Sequence, residues 1–495
     1  MNRSQPLQPD DSYLRSVAES TARAVAAAEP VGSGFDGADP ALHRRVESWL
    51  DAHGADLVEL SRDLHAHPEE GFAEHRSVRQ VAELLRRHGF DAEVGVGGLE
   101  TALRVDVGYG DEAKAGLPGS DSNAGSEAKG RVPGSDAGSG GAASGPAGSA
   151  ASGGVGVDAR TRVPHVAFLA EYDALPGIGH GCGHNIICCS AVGGFLAAAS
   201  ALAAEDGGIP GRVSLIGTPA EEGGGGKEHL ARAGVFDDVD AVVMLHPFSH
   251  DIAAHPFLGR RQVEVIFHGI AAHASAQPFM GRNALDAVVA TYQGVAALRQ
   301  HMPSTDRVHG IITDGGQRPN IVPERAAALF YLRSSDPGTL RELAGRVEAI
   351  ASGAAEMTGC GLELRWDQQP AYMPIRHNDA LAGRWARHQA ERGRTALPRG
   401  VVPEHLTGST DLGNLSYRMP AIHAMIGLEG ENLSLHTAEF AAAAGSETGD
   451  RAVLDGAYGL ASTALDYLGD ADLREAAHAE FERAGGAVNV AAYFE

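Results

Sequence analysis

The chain has 495 residues, more than one hydrophobic core usually organises, so two or more domains are expected. Its 64 acidic residues outnumber 40 basic ones for a formal charge of -24, which repels phosphate backbones and anionic lipid and argues against nucleic-acid or membrane partners. Four cysteines are too few for a disulfide framework, and neither a secretory signal nor a bilayer-length apolar run is evident, so a cytoplasmic protein is the plain expectation.

In chain order, residues 1 to about 40 read as a loose polar, Ala-rich extension with one helical stretch. A helix is expected from Leu42 to Glu69, with Val46, Leu50, Leu57 and Leu60 at helical spacing and His67-Pro68 ending it. A second spans Ser77–His88 and stops at Gly89. FDAEVGV and TALRVDVG then read as strands. From 108 to 160 the chain is Gly/Ser/Ala-rich and nearly free of large apolar side chains, the composition of a disordered insertion between strands.

HVAFLAEYD, RVSLIGTPAEE and AVVMLHP follow as buried strands, with a helix over SAVGGFLAAASALAAE. That alternation predicts a mostly parallel, helix-covered sheet whose ligands gather beyond the strand C-termini. From Phe257 the texture changes. RRQVEVIFHG, HGIITDGG, RAAALFYLRSS and LELRWDQ read as strands, with helices over ALDAVVATYQGVAALRQHM and PGTLRELAGRVEAIASGAAEMTG. The order β-α-β-β-α-β is that of a ferredoxin-like α+β domain. Alternation resumes to about Leu468, so the C-terminal segment is expected to complete the first domain.

The reactive residues fall in the strand-end loops. Glu171-Tyr172-Asp173 closes one strand, and a Gly-rich loop then delivers Cys182 and His184, a thiol and an imidazole that both suit zinc-like metals. Glu221 and Glu222 adjoin at the next strand end, before four glycines. Two neighbouring carboxylates repel unless a cation or proton lies between them; one could bind metal while the other takes a proton from water. His246 follows the next strand as a further ligand candidate. Cys188 and Cys189 read as buried small hydrophobes.

GIGHGCGHN, GTPAEEGGGGK, the MLHP histidine, HGIAAHASAQPFMGRNALDAV, RPNIVPE, GSTDLGNLS and NLSLHTAEF occur in the order expected of M20 metallopeptidases. The chain resembles their amidohydrolase branch, nearest to the group of M20 domain-containing protein 2 and the aminobenzoyl-glutamate hydrolase B subunit, over about residues 42–468. The resemblance implies Cys182, His184, Glu222, His246 and His436 as metal ligands, Glu221 as general base, and Asp173 as the acid behind the first ligand loop. It gives His180 a supporting place and Asn283 the start of a lid helix. His273 would reach a partner subunit's active site and polarise the substrate carbonyl. Asn320 and Arg333 would bind the substrate's carboxylate or amide, and Ser409 and Asp411 would shape the pocket. Other branches use a His-x-Asp ligand pair where Glu171-Tyr172-Asp173 stands here, which gives Cys182 its importance.

The implied organisation is an N-terminal extension (1–41), a catalytic domain in two parts (42–256 and 371–468), a lid and dimerisation domain between them (257–370), and a C-terminal tail (469–495). The implied enzyme is a homodimeric amidohydrolase or dipeptidase with two divalent ions per chain. Zinc is favoured, with manganese and cobalt as alternatives and the bridging ligand left open. It would cleave an N-acyl or aminoacyl amino acid or small dipeptide with metal-activated water and Glu221. Two rivals stand beside it: a hydrolase using Cys182 as nucleophile with His180 or His184, and a non-catalytic scaffold on the same fold.

Overall fold

The structure is a computed structural model that describes residues 10–110, 163–203, 209–403, 407–429 and 433–494. Beyond residue 110 the expected insertion lies outside the described residues. The described strands are β1 (Glu93–Val94), β2 (Leu103–Tyr109), β3 (His165–Ala170), β4 (Gly211–Gly217), β5 (Ala241–Phe248), β6 (Gly259–His268), β7 (Arg307–Asp314), β8 (Arg325–Ser334), β9 (Gly361–Trp366) and β10 (Ala421–Gly427). They form two sheets.

The first has the order β1-β2-β4-β3-β5-β10. Its four strands β4, β3, β5 and β10 run parallel, while β1 and β2 add an antiparallel margin. Only Glu93–Val94 of the expected FDAEVGV strand pairs, because Gly95 at φ 89° turns the chain into a short 3-10 segment. From β3 the chain crosses to β4 on one flank, then returns past β3 to β5 on the other. That reversal opens a crevice outside the strand C-termini. Glu171–Asp173 follow β3, Thr218–Glu222 follow β4, and His246 lies near the end of β5.

The helix behind the crevice begins at His184, six residues earlier than its expected start at Ser190, and runs to Leu202. Gly183, at φ 74°, makes the left-handed turn into it, and burial of Ile186 and Ile187 outweighs the modest helix propensity of β-branched residues. The helix is apolar on every side and almost wholly buried, as a core helix must be. It packs against the Pro40–Ala66 and Glu447–Gly469 helices. A methyl at Gly193 would collide with Leu57 and come within 2.9 Å of Ala457, so glycine sets how closely the three approach. Each fully buried Leu or Phe here contributes about 1.5–3 kcal/mol.

The second sheet, β7-β8-β6-β9, is antiparallel throughout and carries the Ala284–Leu298 and Pro337–Thr358 helices. With its chain order this is the ferredoxin-like arrangement. Val263, Val265, Phe267, Phe330 and Leu332 form its core with Val288 and Val347. β7 is an edge, and its Ile311 and Ile312 are 64% and 43% exposed.

Both ends of the chain depart from expectation. After the Ser12–Ala27 helix, the extension docks: the Gly37 and Ala38 N–H groups donate to Asp470 Oδ2 at 2.9 Å and Asp466 Oδ1 at 2.8 Å. The expected tail forms an Ala471–Arg483 helix with Leu473, Ala477 and Phe481 buried, then a Val490–Phe494 turn of helix whose Val490 and Phe494 join the second core. Polar spacing hid both segments: the first docks through backbone hydrogen bonds while Tyr13 and Leu14 of its helix stay exposed, and the second through a few widely spaced apolar residues.

Candidate metal centre and active site

Two histidines face the crevice with their orientations set from behind. His184 Nδ1 lies 3.0 Å from Asp173 Oδ1, and its Nε2 is buried without a hydrogen-bond partner, 3.5 Å from Glu171 Oε2. Burial opposes charge on this ring, but Asp173 outweighs it and holds the pKa well above the usual value. His246 donates Nδ1–H to the Pro247 carbonyl at 2.7 Å, which leaves Nε2 as its free lone pair. Burial first, then His184, lowers its pKa to about 3, so it stays neutral.

Cys182, His184 and His246 offer donor atoms within 4.8 Å of one another, as do Cys182, Glu222 and His436. His436 Nε2 is 3.1 Å from Cys182 Sγ and 3.5 Å from Glu222 Oε1, and that Oε1 is another buried atom without a partner. Partnerless buried donors of these types, converging on one crevice, fit divalent cations with nitrogen, sulfur and oxygen ligands. The Cys182 thiol has its pKa pushed well up by burial and then by Glu222, which disfavours a free thiolate nucleophile.

The acidic turn is shaped by tight backbone. Ala220 has φ 57°, its N–H held at 2.8 Å by buried Glu74, and a methyl on Gly226 would collide with the Pro219 carbonyl. Glu222 N–H donates to Asp173 Oδ2 at 2.9 Å, so one carboxylate ties the first ligand loop to the second. The Tyr372 hydroxyl donates to the Glu221 carbonyl at 2.9 Å. Burial, then Glu171 and Glu222, push the Glu221 carboxyl well above the carboxylate range. That suits a proton carrier.

A cavity of about 200 Å³ opens here, lined among others by Cys182, Glu221, Glu222, His246, His436, Arg333 and Ser409. Arg333 Nη1 donates to Ser409 Oγ at 3.2 Å. Asp411 lies beneath rather than in it: with Glu171 it holds the fully buried ammonium of Lys227, whose Nζ is 2.6 Å from Asp411 Oδ1. His180 is buried to one side, its Nε2 3.1 Å from the Leu64 carbonyl. Cys188 and Cys189 sit in the core. Asn283 caps the Ala284–Leu298 helix through Leu285 N–H.

His273 and Asn320 are not brought to this cavity. Both are exposed on the second sheet's side of the molecule, joined where Ala274 N–H donates to the Asn320 carbonyl. Sequence reasoning missed Lys227, Glu74, Tyr372 and Arg260. Arg260 is 4% exposed and lines the cavity with its Cζ 4.0 Å from the Tyr372 ring centre and 5.2 Å from that of Tyr331. A basic residue opening a strand of a separate domain gave no sign of it.

The profile of peptidase family M20/M25/M40 matches residues 167–457. The chain is 38% identical over 321 residues to the Xaa-Arg dipeptidase of Mus musculus, covering 65% of this chain and 74% of the relative. It is 29% identical over 358 residues to the B subunit of p-aminobenzoyl-glutamate hydrolase from Escherichia coli, covering 68% of this chain and 63% of that one. A dinuclear metal-binding M20 peptidase from Bacillus subtilis superposes with a TM-score of 0.56 at 16% identity, over 84% of this chain and 99% of its own.

Proposed function

This chain belongs to peptidase family M20/M25/M40 and is a hydrolase of peptide or amide bonds, and on that premise we propose a two-metal amidohydrolase that releases an amino acid from an N-acyl or aminoacyl amide. The observation that carries this reading is the convergence of Cys182, His184, Glu222, His246 and His436, with His184 Nε2 and Glu222 Oε1 buried and unpartnered. Zinc matches the thiol and imidazole donors best, ahead of manganese or cobalt. Divalent ions held by these groups would polarise the scissile carbonyl and acidify the attacking water.

The chain's own groups supply the rest. Asp173 accepts the Nδ1–H of His184 and so leaves Nε2 as the atom that would hold a metal ion. Glu221 accepts the proton of the attacking water and hands it to the departing amine nitrogen. Tyr372 fixes the Glu221 backbone, which keeps that carboxyl in reach during both transfers. His273 of the partner subunit would hold the developing oxyanion in a homodimer formed through the second sheet. Exposed Ile270, Phe279, Met280 and Ile321 near that residue, and the open β7 edge with Ile311 and Ile312, support such a contact.

Substrate choice rests on charge. Among the described residues neither Arg260 nor Arg333 makes an ion pair with a carboxylate, although both are largely buried and line the cavity. Burial, then the charge of Arg260, lowers the pKa of Arg333. Buried guanidiniums without a counter-ion call for an anionic ligand. An α-carboxylate meets part of that demand in any released amino acid; a second carboxylate, as in aminobenzoyl-glutamate, meets it further, whereas the cationic side chain of an Xaa-Arg dipeptide does not. The test is kcat/KM for N-acyl glutamates and Xaa-Arg dipeptides with zinc-loaded protein, before and after chelator. Preference for the basic dipeptides refutes the charge argument, and full activity in metal-free protein refutes the two-metal reading.

A further inference from the structure

Among the described residues, clusters away from the crevice that combine imidazole with carboxylate include three. In two of them the carboxylates are already neutralised. Asp466, beside His43 and His388, also accepts from Arg384 Nε at 2.6 Å. Asp106 and Asp238, beside His165, are bound by Arg104, and Asp238 also by Arg212. A bound guanidinium leaves no room or charge for a metal ion.

The third cluster is different. His53 and Asp56 stand three residues apart on one face of the Pro40–Ala66 helix, and His88 is the C-cap of the His75–Arg87 helix beside it. Their donor atoms all lie within 4.8 Å of one another, and all three residues are partly exposed. Asp56 Oδ2 is 3.4 Å from His88 Nε2, and the two imidazole centres are 5.0 Å apart. Two ligand atoms at about 2.0–2.1 Å from one tetrahedral zinc are themselves about 3.4 Å apart, so small side-chain rotations close the set. No guanidinium is hydrogen-bonded to Asp56 among the described residues. The helix ending at His88 adds partial negative charge from its last carbonyls, against the neighbouring charge of Arg87.

We propose that His53, Asp56 and His88 form a separate site for a transition-metal dication of the zinc class, with water completing the coordination, that clamps the two helices together. Two imidazoles and one carboxylate are a donor set that selects such ions over calcium or magnesium. The site is distinct from the crevice and does not depend on the proposed reaction. It also carries its own reporter: the Trp49 ring centre lies 5.0 Å from that of His53 and 5.4 Å from that of His88.

The experiment is equilibrium dialysis of the whole protein against Zn²⁺, with metal counting, in wild type and in His53→Gln and His88→Gln. Each variant should bind one zinc fewer per chain, with hydrolytic activity and the chelator-treated melting temperature unchanged. In parallel, Ni²⁺ should quench tryptophan emission saturably in wild type and not in either variant, while Trp49→Phe should lose the quenching but keep the zinc. Equal zinc content in wild type and both variants overturns the proposal. Half-saturation only in the millimolar range means an adventitious ion only, and overturns it equally.

Discussion

Asp173→Asn isolates the carboxylate that sits behind both ligand loops. Asp173 uses one oxygen for His184 Nδ1–H at 3.0 Å and the other for Glu222 N–H at 2.9 Å. Both neighbours are donors. An asparagine has one acceptor and one donor end, so it can satisfy only one of them. If its oxygen keeps Glu222 N–H, its amide must donate to His184 Nδ1, which forces the proton to Nε2 and removes the lone pair that faces the crevice. If it keeps His184, a buried backbone N–H at the Glu222 turn meets an N–H₂ group. An unmet buried donor costs about 1–3 kcal/mol, and loss of a partner behind a metal-binding histidine typically weakens affinity about 10–100-fold, or roughly 1.4–2.8 kcal/mol. The first penalty falls on the fold, and the second sets the expected loss of zinc affinity. The assay is zinc affinity by competition with a chromogenic chelator, alongside kcat at saturating zinc. Affinity should fall within that range, and excess zinc should recover much of the activity. Wild-type affinity in the variant would refute the orientation argument, and loss of turnover at full occupancy would give Asp173 another role.

Further expectations concern the adjacent glutamates and the buried histidines. Glu221→Gln should keep its metals and lose about two to four decades of turnover, the usual worth of a general base, whereas Glu222→Gln should lose metal itself; metal content measured beside kcat tells them apart, and the reverse pattern means the roles are exchanged. Far from the crevice, burial opposes charge on His388, but the hydrogen bonds its ring donates to Asp466 and Glu391 raise its pKa overall. A raised folded pKa contributes stability that is complete below the unfolded value and lost as pH climbs through the folded one. The stability gap between wild type and His388→Gln, measured by urea unfolding, should therefore narrow from about pH 6.5 upward. A gap that widens with pH contradicts the assigned partners.

Legibility in the sequence followed from how local each signal was. The β6–β9 unit could be read because its strands are short apolar windows bounded by turn residues and its two helices carry side-chain caps, Asn283 and Asp336, within their own windows. The ligand loops could be read because cysteine, histidine and paired glutamates stand beside glycines that permit sharp turns. Lys227 could not. A lysine after four glycines looks solvated, and its burial makes sense only with Glu171 and Asp411, 56 and 184 positions away. The start at His184 was hidden because its cap is a left-handed glycine without a side-chain acceptor. His273 and Asn320 are legible as motif residues, but nothing local to them says that the fold leaves both exposed and away from the cavity.

The placement of the C-terminus has a mechanical consequence. A unit inserted into another is ordinarily joined by two chain crossings, here near residues 249–258 and 367–378, and two adjacent links define an axis about which it can swing. The last helical turn adds a third, off-axis attachment: the Ala471–Arg483 helix is packed on the body that carries β3, while Val490 and Phe494 are seated in the other unit. The span between them is short, and it is pinned by Val488 N–H on the Tyr417 carbonyl at 2.7 Å and by Arg376 on Gly486. Because Gly486 and Val488 are both held to the body that carries β3, any swing would have to be taken up beyond Val488, in the single residue before the last helical turn. Trimming the chain at Gly486 would release a brake, whereas a rigid fusion at the C-terminus would tighten it.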